Sequence, residues 1–221
     1  MINVYPRNYA LSSETIEAYM NIVPATLGHA LEGGMDGGIK AIWSPVKLVG
    51  PALTVQTSPQ TAAAVGKALE VSKPGDVLVV NRGGDQRHAT FGEIAALGAI
   101  EYGIAGIISD GVITDREALQ RLKFPAYARG VTAMTIKPWD IPEGAVNVPV
   151  SVGGIGVNPG DLILADDDGV MVASPNDAQL YLAFCEEKDA WEAWVRSELD
   201  KGRSFSDVVK ERPWPVPNLM Q

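Results

Sequence analysis

Residues 76–116 read DVLVVNRGGDQRHATFGEIAALGAIEYGIAGIISDGVITDR, and the succession of periodicities within them decides the fold. Asp76 to Asn81 is a short apolar run with polar ends, the pattern of a buried strand, and Arg82-Gly83-Gly84-Asp85 breaks it. From Gly92 to Tyr102 the residues Ile94, Leu97, Gly98 and Ile100 recur at helical spacing. Ile104 to Ile108 then returns to a β-branched run that ends at Ser109-Asp110-Gly111. Strand, helix, strand is the repeating unit of an α/β fold with parallel strands, and ligands of such sheets gather at the strands' carboxyl ends. Glu93 opens the helix at that end, and Asp110 and Asp115 follow the second strand. The free amides around Glu93, Ile94 and Ala95 favour an anion such as a carboxylate, while the nearby carboxylates favour a hard divalent cation. A metal-bound small oxo acid satisfies both.

Outward from this unit, Ser12 to Met20 reads as a helix capped by Ser12 or Ser13, and Pro24 to Leu31 as a second before the glycine-rich EGGMDGG. Val49 to Thr57 reads as a strand and Gln60 to Val71 as a helix of small residues. The second half is rich in strands, expected over 126–128, 132–136, 147–152, 161–165 and 169–173 between Gly and Pro turns. Ser174-Pro175-Asn176-Asp177 starts a long helix that runs through Lys201 to a stop at Gly202, and Pro213, Pro215 and Pro217 make the tail irregular.

Composition bounds the function. A chain of 221 residues that is 46% hydrophobic, without a polar tract or linker, is expected to be one domain over 1–221. A net charge of −9 argues against a nucleic-acid partner, because phosphate recognition needs basic patches. No apolar run is long enough for an ordinary transmembrane helix. Cys185 is the only cysteine, so no intramolecular disulfide can form, and the first ten residues lack a signal-peptide pattern. A cytoplasmic location is expected.

Five segments together resemble the RraA-like proteins and the class II pyruvate aldolases that share their fold, the 4-hydroxy-4-methyl-2-oxoglutarate and 4-carboxy-4-hydroxy-2-oxoadipate aldolases. They are VGPALTVQT (49–57), KPGDVLVVNRGGD (73–85), FGEIAALGAIEYGIAGIISDGVITD (91–115), FPAYARGVTA (124–133) and VNVPVSVGGIGVNPGDLILADDDGVMVAS (146–174). The resemblance implies a three-layer β/β/α arrangement like the swivelling phosphohistidine domain. It also implies a homotrimer or hexamer whose C-terminal helix reaches a neighbour's site. The family's aldolases carry an acidic residue, twenty intervening positions, then Arg-Asp. Glu93 and Asp115 fit that spacing, but Thr114 stands in the arginine's place.

By this resemblance Asp115 binds Mg²⁺ or Mn²⁺ with waters completing the shell, and Glu93 orders a water for proton transfer. Ile94 and Ala95 hold the substrate carboxylate through their amides, Gly83 and Gly84 shape the anion pocket, and Thr114 faces the substrate. Losing one preorganised charge-stabilising donor raises a barrier by roughly 2.7–4 kcal/mol. A relocated guanidinium is therefore sought: Arg82 and Arg87 flank the glycine loop, whereas Arg116 points about 200° around a helix from Thr114. On the C-terminal helix, Glu186, Glu187 or Glu192 is the candidate to complete an adjacent subunit's metal shell, and Trp191 and Trp194 favour an interface there.

Blander readings stand beside these. Thr114-Asp115-Arg116-Glu117 matches a capping box, which would make Thr114 a helix cap. Glu93 complements a helix dipole in any case, the C-terminal glutamates suit a solvated helix face, and His29 and His88 read first as solvated loop histidines. Asp166-Asp167-Asp168-Gly169 reads as a tight turn between strands, not a metal site. Two functional classes follow: a metal-dependent lyase that cleaves or decarboxylates a small 2-oxo acid and releases pyruvate, or a non-catalytic regulator acting through protein contact. Asp115 favours the first and Thr114 the second.

Overall fold

A computed structural model describes residues 1–8, 11–137 and 141–217. Its first half comprises β1 (Ile2–Val4), α1 (Ser13–Tyr19), α2 (Pro24–Gly28), β2 (Lys40–Ala41), β3 (Leu48–Gln56), α3 (Ala63–Val71), β4 (Val77–Asn81), α4 (Glu93–Glu101) and β5 (Gly106–Ser109). There follow α5 (Arg116–Arg121), β6 (Ala126–Ala128), β7 (Gly144–Val146), β8 (Val150–Val152), β9 (Ile155–Val157), β10 (Leu162–Asp166), β11 (Gly169–Ala173), α6 (Pro175–Asp200) and α7 (Phe205–Glu211).

Successive side chains of a strand point to opposite faces, and here both faces are apolar. Leu78 and Val80 of β4 join Leu53, Val55 and Ile107 in a cluster with Val65 of α3, Ala96 and Ala99 of α4 and Leu119 of α5. Val77 and Val79 turn the other way with Ile108 and Tyr127, onto Ile163, Ala165, Val170 and Val172 of the β10–β11 hairpin and Val150, Val152 and Val157 of β8 and β9. This is the expected β/β/α sandwich. The hairpin alternates in turn: Leu162, Leu164, Met171 and Ala173 face Tyr19 of α1, Leu27 of α2 and Ala178 and Cys185 of α6, which add an outer helical layer.

The main sheet runs β1-β7-β3-β4-β5-β6-β2. Strands β3, β4, β5 and β6 pair in parallel. The long β3 links the layers, since Leu48 to Pro51 pairs antiparallel with β10 while Ala52 to Gln56 pairs with β4. All four parallel strands therefore end on one edge, where the loops after β4 and β5 meet the start of α4.

Several expected elements take other forms. The segment 132–136 is not a strand; its backbone pairs with the loop before α4 through one Ala89–Thr135 bridge, and the Thr132 hydroxyl turns back to accept from the Met134 amide at 3.1 Å. The strand expected over 147–152 is split by Asn147, which sits at φ 59°, and by Pro149, which lacks an amide; β7 and β8 lie on either side. The helix expected over 24–31 stops at Gly28, and that expected over 60–71 starts only at Ala63, where the Thr61 hydroxyl accepts from the Ala63 amide. Asp166 pairs with Gly169 across a two-residue hairpin, so the Asp-Gly sequence forms the expected turn. Ser12 and Ser174 cap α1 and α6, and the long helix stops before Gly202, which takes φ 84°.

Candidate active site

Gly92 is the hinge of the site. It precedes α4 and has no side chain to cap that helix, and the Asp115 carboxylate does so instead: Oδ2 accepts from the Glu93 amide at 2.9 Å. A Cβ on Gly92 would collide with that carboxylate and with Thr114 Cγ2, so glycine is what lets the loop after β5 approach the helix start. Asp115 itself sits in the left-handed region, at φ 59° and ψ 40°, which costs most non-glycine residues energy and which aspartate tolerates better than most.

The two amides behind Glu93, those of Ile94 and Ala95, donate to no internal acceptor among the described residues, because the first intrahelical bond runs from the Ala96 amide to Gly92 O. Ile94, Ala95, Thr114, Asp115, Phe91 and Ile136 line a pocket of about 210 Å³. Helix-start donors and a carboxylate thus face one cavity, as the sequence suggests.

Thr114 does not cap α5. Its amide donates to Phe91 O at 3.0 Å and its hydroxyl to Asp115 Oδ1 at 3.2 Å, while Asp115 occupies the cap position without a side-chain cap bond. The capping-box reading fails because the αL turn at Asp115 swings both residues toward α4.

The glycine loop serves a different purpose from the one expected. Asp110, buried at the end of β5, accepts from the Arg82 amide at 2.6 Å and from the Gly84 amide at 3.0 Å, and Gly83 donates to Asn81 at 2.7 Å. The Gly83 and Gly84 amides are engaged by protein acceptors and do not point at the pocket. Burial raises the Asp110 pKa against the lowering effect of these bonds. Arg82 is also wholly buried; its guanidinium donates to the carbonyls of His88 and Pro59 and pairs with Asp85 at 3.3 Å. Arg87 is exposed, with no side-chain ion pair among the described residues. The Arg82 guanidinium is thus engaged by protein acceptors, and neither arginine is among the described residues that line the pocket.

The guanidinium that pairs with Glu93 comes from Arg121 in the last turn of α5, which donates to Glu93 Oε1 at 2.6 Å; neither residue is among the described ones that line the pocket. Glu93 thus joins α4 to both ends of α5, through its amide to Asp115 and its carboxylate to Arg121. No sequence signal marked Arg121, because the pairing crosses 28 positions.

A divalent cation fits this donor set in one manner. Among the described residues no three acidic, histidine or cysteine side chains converge. Asp115 keeps lone pairs free beyond the two bonds it accepts, and Mg²⁺ is commonly held by one or two carboxylates with waters and substrate filling the rest. On α6, Glu192 is paired with Lys188 and, at 3.5 Å, with Arg196, whereas Glu187 is exposed and carries no ion pair among the described residues.

Comparison with known proteins bears on the family and the fold. The RraA-like family, described as Aldolase/RraA, matches residues 22–172. A Halalkalibacterium halodurans protein named "Putative 4-hydroxy-4-methyl-2-oxoglutarate aldolase" is 37% identical over 177 residues, 79% of this chain and 83% of its own length. The crystal structure of Streptomyces coelicolor RraAS2, "an unusual member of the RNase ES inhibitor RraA protein family", shares 30% identity at a TM-score of 0.76, covering 86% of this chain and 100% of that one. An uncharacterized protein from Pseudomonas syringae shares the fold alone, with a TM-score of 0.80 at 22% identity over 90% of this chain and 98% of its own. The chain belongs to the RraA-like family.

Proposed function

We propose that the protein is a divalent-metal-dependent lyase acting on a small 2-oxo acid, by retro-aldol cleavage or by decarboxylation of an oxaloacetate-type substrate, with release of pyruvate. One observation carries this reading: the unpartnered Ile94 and Ala95 amides and the Asp115 carboxylate, held in a left-handed turn, line the same pocket. Mg²⁺ or Mn²⁺ bound by Asp115 would polarise the 2-oxo group and stabilise the charge left when the carbon–carbon bond breaks. The chain's own residues do the rest. The helix-start amides receive the substrate carboxylate where the α4 dipole favours an anion. Glu93, fixed by Arg121, holds a water for proton transfer beside Asp115. Thr114 contacts the substrate with a neutral hydroxyl.

We further infer a homo-oligomer, a trimer or hexamer. Ile94, Leu97 and Ile100 place a stripe on α4 that is 80%, 45% and 43% exposed beside the pocket, more apolar surface than a solvated helix face ordinarily shows. In that assembly Glu186 and Glu187 of α6, both exposed and without an ion pair among the described residues, are the carboxylates free to reach a neighbouring metal shell. No helix among the described residues is long and apolar enough to cross a membrane, and the single, buried Cys185 suits a reducing cytoplasm. A second reading, a regulator acting by protein contact, draws on Thr114 and on the RNase-inhibitor name of the Streptomyces relative. Incubation with 4-hydroxy-4-methyl-2-oxoglutarate or oxaloacetate separates the two. The lyase reading expects pyruvate release that stops on chelation and in Asp115→Ala; no release from either substrate with Mg²⁺ or Mn²⁺ present favours the regulator.

A further inference from the structure

Three loops at the carboxyl edge of the parallel strands converge on one buried side chain. Arg82 directly follows β4 and is fully enclosed; its guanidinium donates to Pro59 O at 2.8 Å in the loop after β3, and to His88 O and, at 3.3 Å, Asp85 Oδ2 in the loop after β4. The loop after β5 closes the ring. Asp110 accepts from the Arg82 amide at 2.6 Å, and a Cβ built on Gly111 would lie 3.1 Å from Arg82 Nη1 and 2.7 Å from Asp85 O.

From His88 the backbone runs through Ala89, Thr90 and Phe91 to Gly92 and the start of α4. The Ala89 amide donates to Met134 O at 2.8 Å, the Thr114 amide to Phe91 O at 3.0 Å and the Glu93 amide to Asp115 Oδ2 at 2.9 Å. Phe91 stacks on Phe124 and fixes how deep the loop sits. Apolar contact has no preferred direction, so the hydrogen bonds from Arg82 set where along the edge the loop lies. The run ends without slack, because a Cβ on Gly92 would lie 2.4 Å from Asp115 Oδ2 and 2.6 Å from Thr114 Cγ2. A shift at His88 is therefore carried to Gly92 and moves the Ile94 and Ala95 amides relative to the Asp115 carboxylate.

We propose that Arg82 is the positioning residue of the candidate site, fixing the loop over 83–92 so that the Ile94 and Ala95 amides and the Asp115 carboxylate keep the spacing that a metal-bound 2-oxo acid requires. The assignment rests on the reading of that pocket as the place of the substrate carboxylate. A buried ion cluster adds little stability over an apolar core of equal volume. What Arg82 supplies is direction, since its rigid fork aims donors at two loops at once.

Arg82→Lys keeps a charge beside Asp85 and Asp110 and removes the fork, so it separates position from charge. Amide hydrogen exchange of the full chain, followed by NMR, reads it without a ligand. The Ala89, Glu93 and Thr114 amides are expected to exchange at least about tenfold faster in Arg82→Lys, while those of the β10–β11 hairpin in the far layer exchange as in the wild type. Exchange that rises equally in both places makes Arg82 a general stabiliser, and exchange unchanged at the three amides removes it; either result overturns the proposal. If Arg82→Lys does not fold, Asp85→Asn, which neutralises one acceptor at a partly exposed position, is read in the same way, with faster exchange confined to the three amides upholding the proposal and any other pattern overturning it. Titration with pyruvate in Mg²⁺ then reads the site itself. The Ile94 and Ala95 amide signals are expected to move saturably in the wild type and with about tenfold lower affinity in Arg82→Lys, the order of one hydrogen bond to a charged group; equal affinity in the two overturns the positioning role. Wild-type signals that ignore pyruvate count against the carboxylate reading of the pocket, and the exchange result remains separate from it.

Discussion

Position 114, where the resemblance to the family's aldolases leads an arginine to be expected, carries a threonine, and the structure shows how it is held. Thr114 is not a cap of α5, so replacing it sacrifices no capping bond. Thr114→Arg is expected to raise turnover of 4-hydroxy-4-methyl-2-oxoglutarate by at least about tenfold, because a guanidinium presents a fixed fork of donors to a developing oxyanion and a hydroxyl does not. Arg121→Ala should act in the other direction. An exposed ion pair contributes only about 0.2–1 kcal/mol to stability, so melting should barely change, while turnover falls about tenfold as Glu93 loses its fixed position, and Arg121→Lys restores part of it. Steady-state kinetics beside thermal melts decide both; unchanged turnover in Arg121→Ala removes Arg121 from the site. Local patterning placed Glu93, Ile94, Ala95 and Asp115 together at helix and strand ends, while the roles expected of them came from the family resemblance. Arg121 carried no signal, because its partner lies on another helix.

The elements most legible in the sequence were those buried on both faces. β4 and β5 read as continuous apolar runs because each face packs on a different cluster. The segment 132–136 misled because its alternation reflects pairing with a loop, and β1, β2 and β9 are too short to carry a period. The short α7 was missed behind Gly202, although Ser204 caps it in the same way that Ser174 caps α6. Within α6, Lys188 is fully buried, with its ammonium 3.6 Å from the Trp214 ring centroid and paired with Glu192. The hydrogen bond from Lys188 leads the causes that hold the Glu192 pKa below the usual glutamate range. A depressed carboxylate contributes stability above its unfolded pKa and loses it as pH falls through the folded value. Removing one partner of a buried pair costs about 3–5 kcal/mol, but Glu192 is one-third exposed, so Glu192→Gln should destabilise by about 1–2 kcal/mol near neutral pH. Urea unfolding from about pH 7 downward checks this: the difference should shrink as pH falls through the lowered folded pKa of Glu192, below which both proteins carry a neutral side chain.

At the scale of the molecule, Asp115 is the one carboxylate among the described residues that line the pocket, and an apolar stripe of α4 lies next to it. Light scattering should give a trimer or hexamer, and Leu97→Asp with Ile100→Asp, which place charge in that stripe, should dissociate it and lower turnover. A fully active monomer contradicts a shared site. The parallel edge was readable from one βαβ unit and the sandwich only through the family resemblance, whereas the outer layer of α1, α2 and α6 was not readable, because nothing local says against which face a helix packs. The account as a whole depends on Asp115 as a metal ligand, and isothermal titration of Mg²⁺ or Mn²⁺ into the wild type and Asp115→Ala tests that directly. The prediction is saturable binding that the substitution abolishes; equal affinity in the two proteins contradicts it.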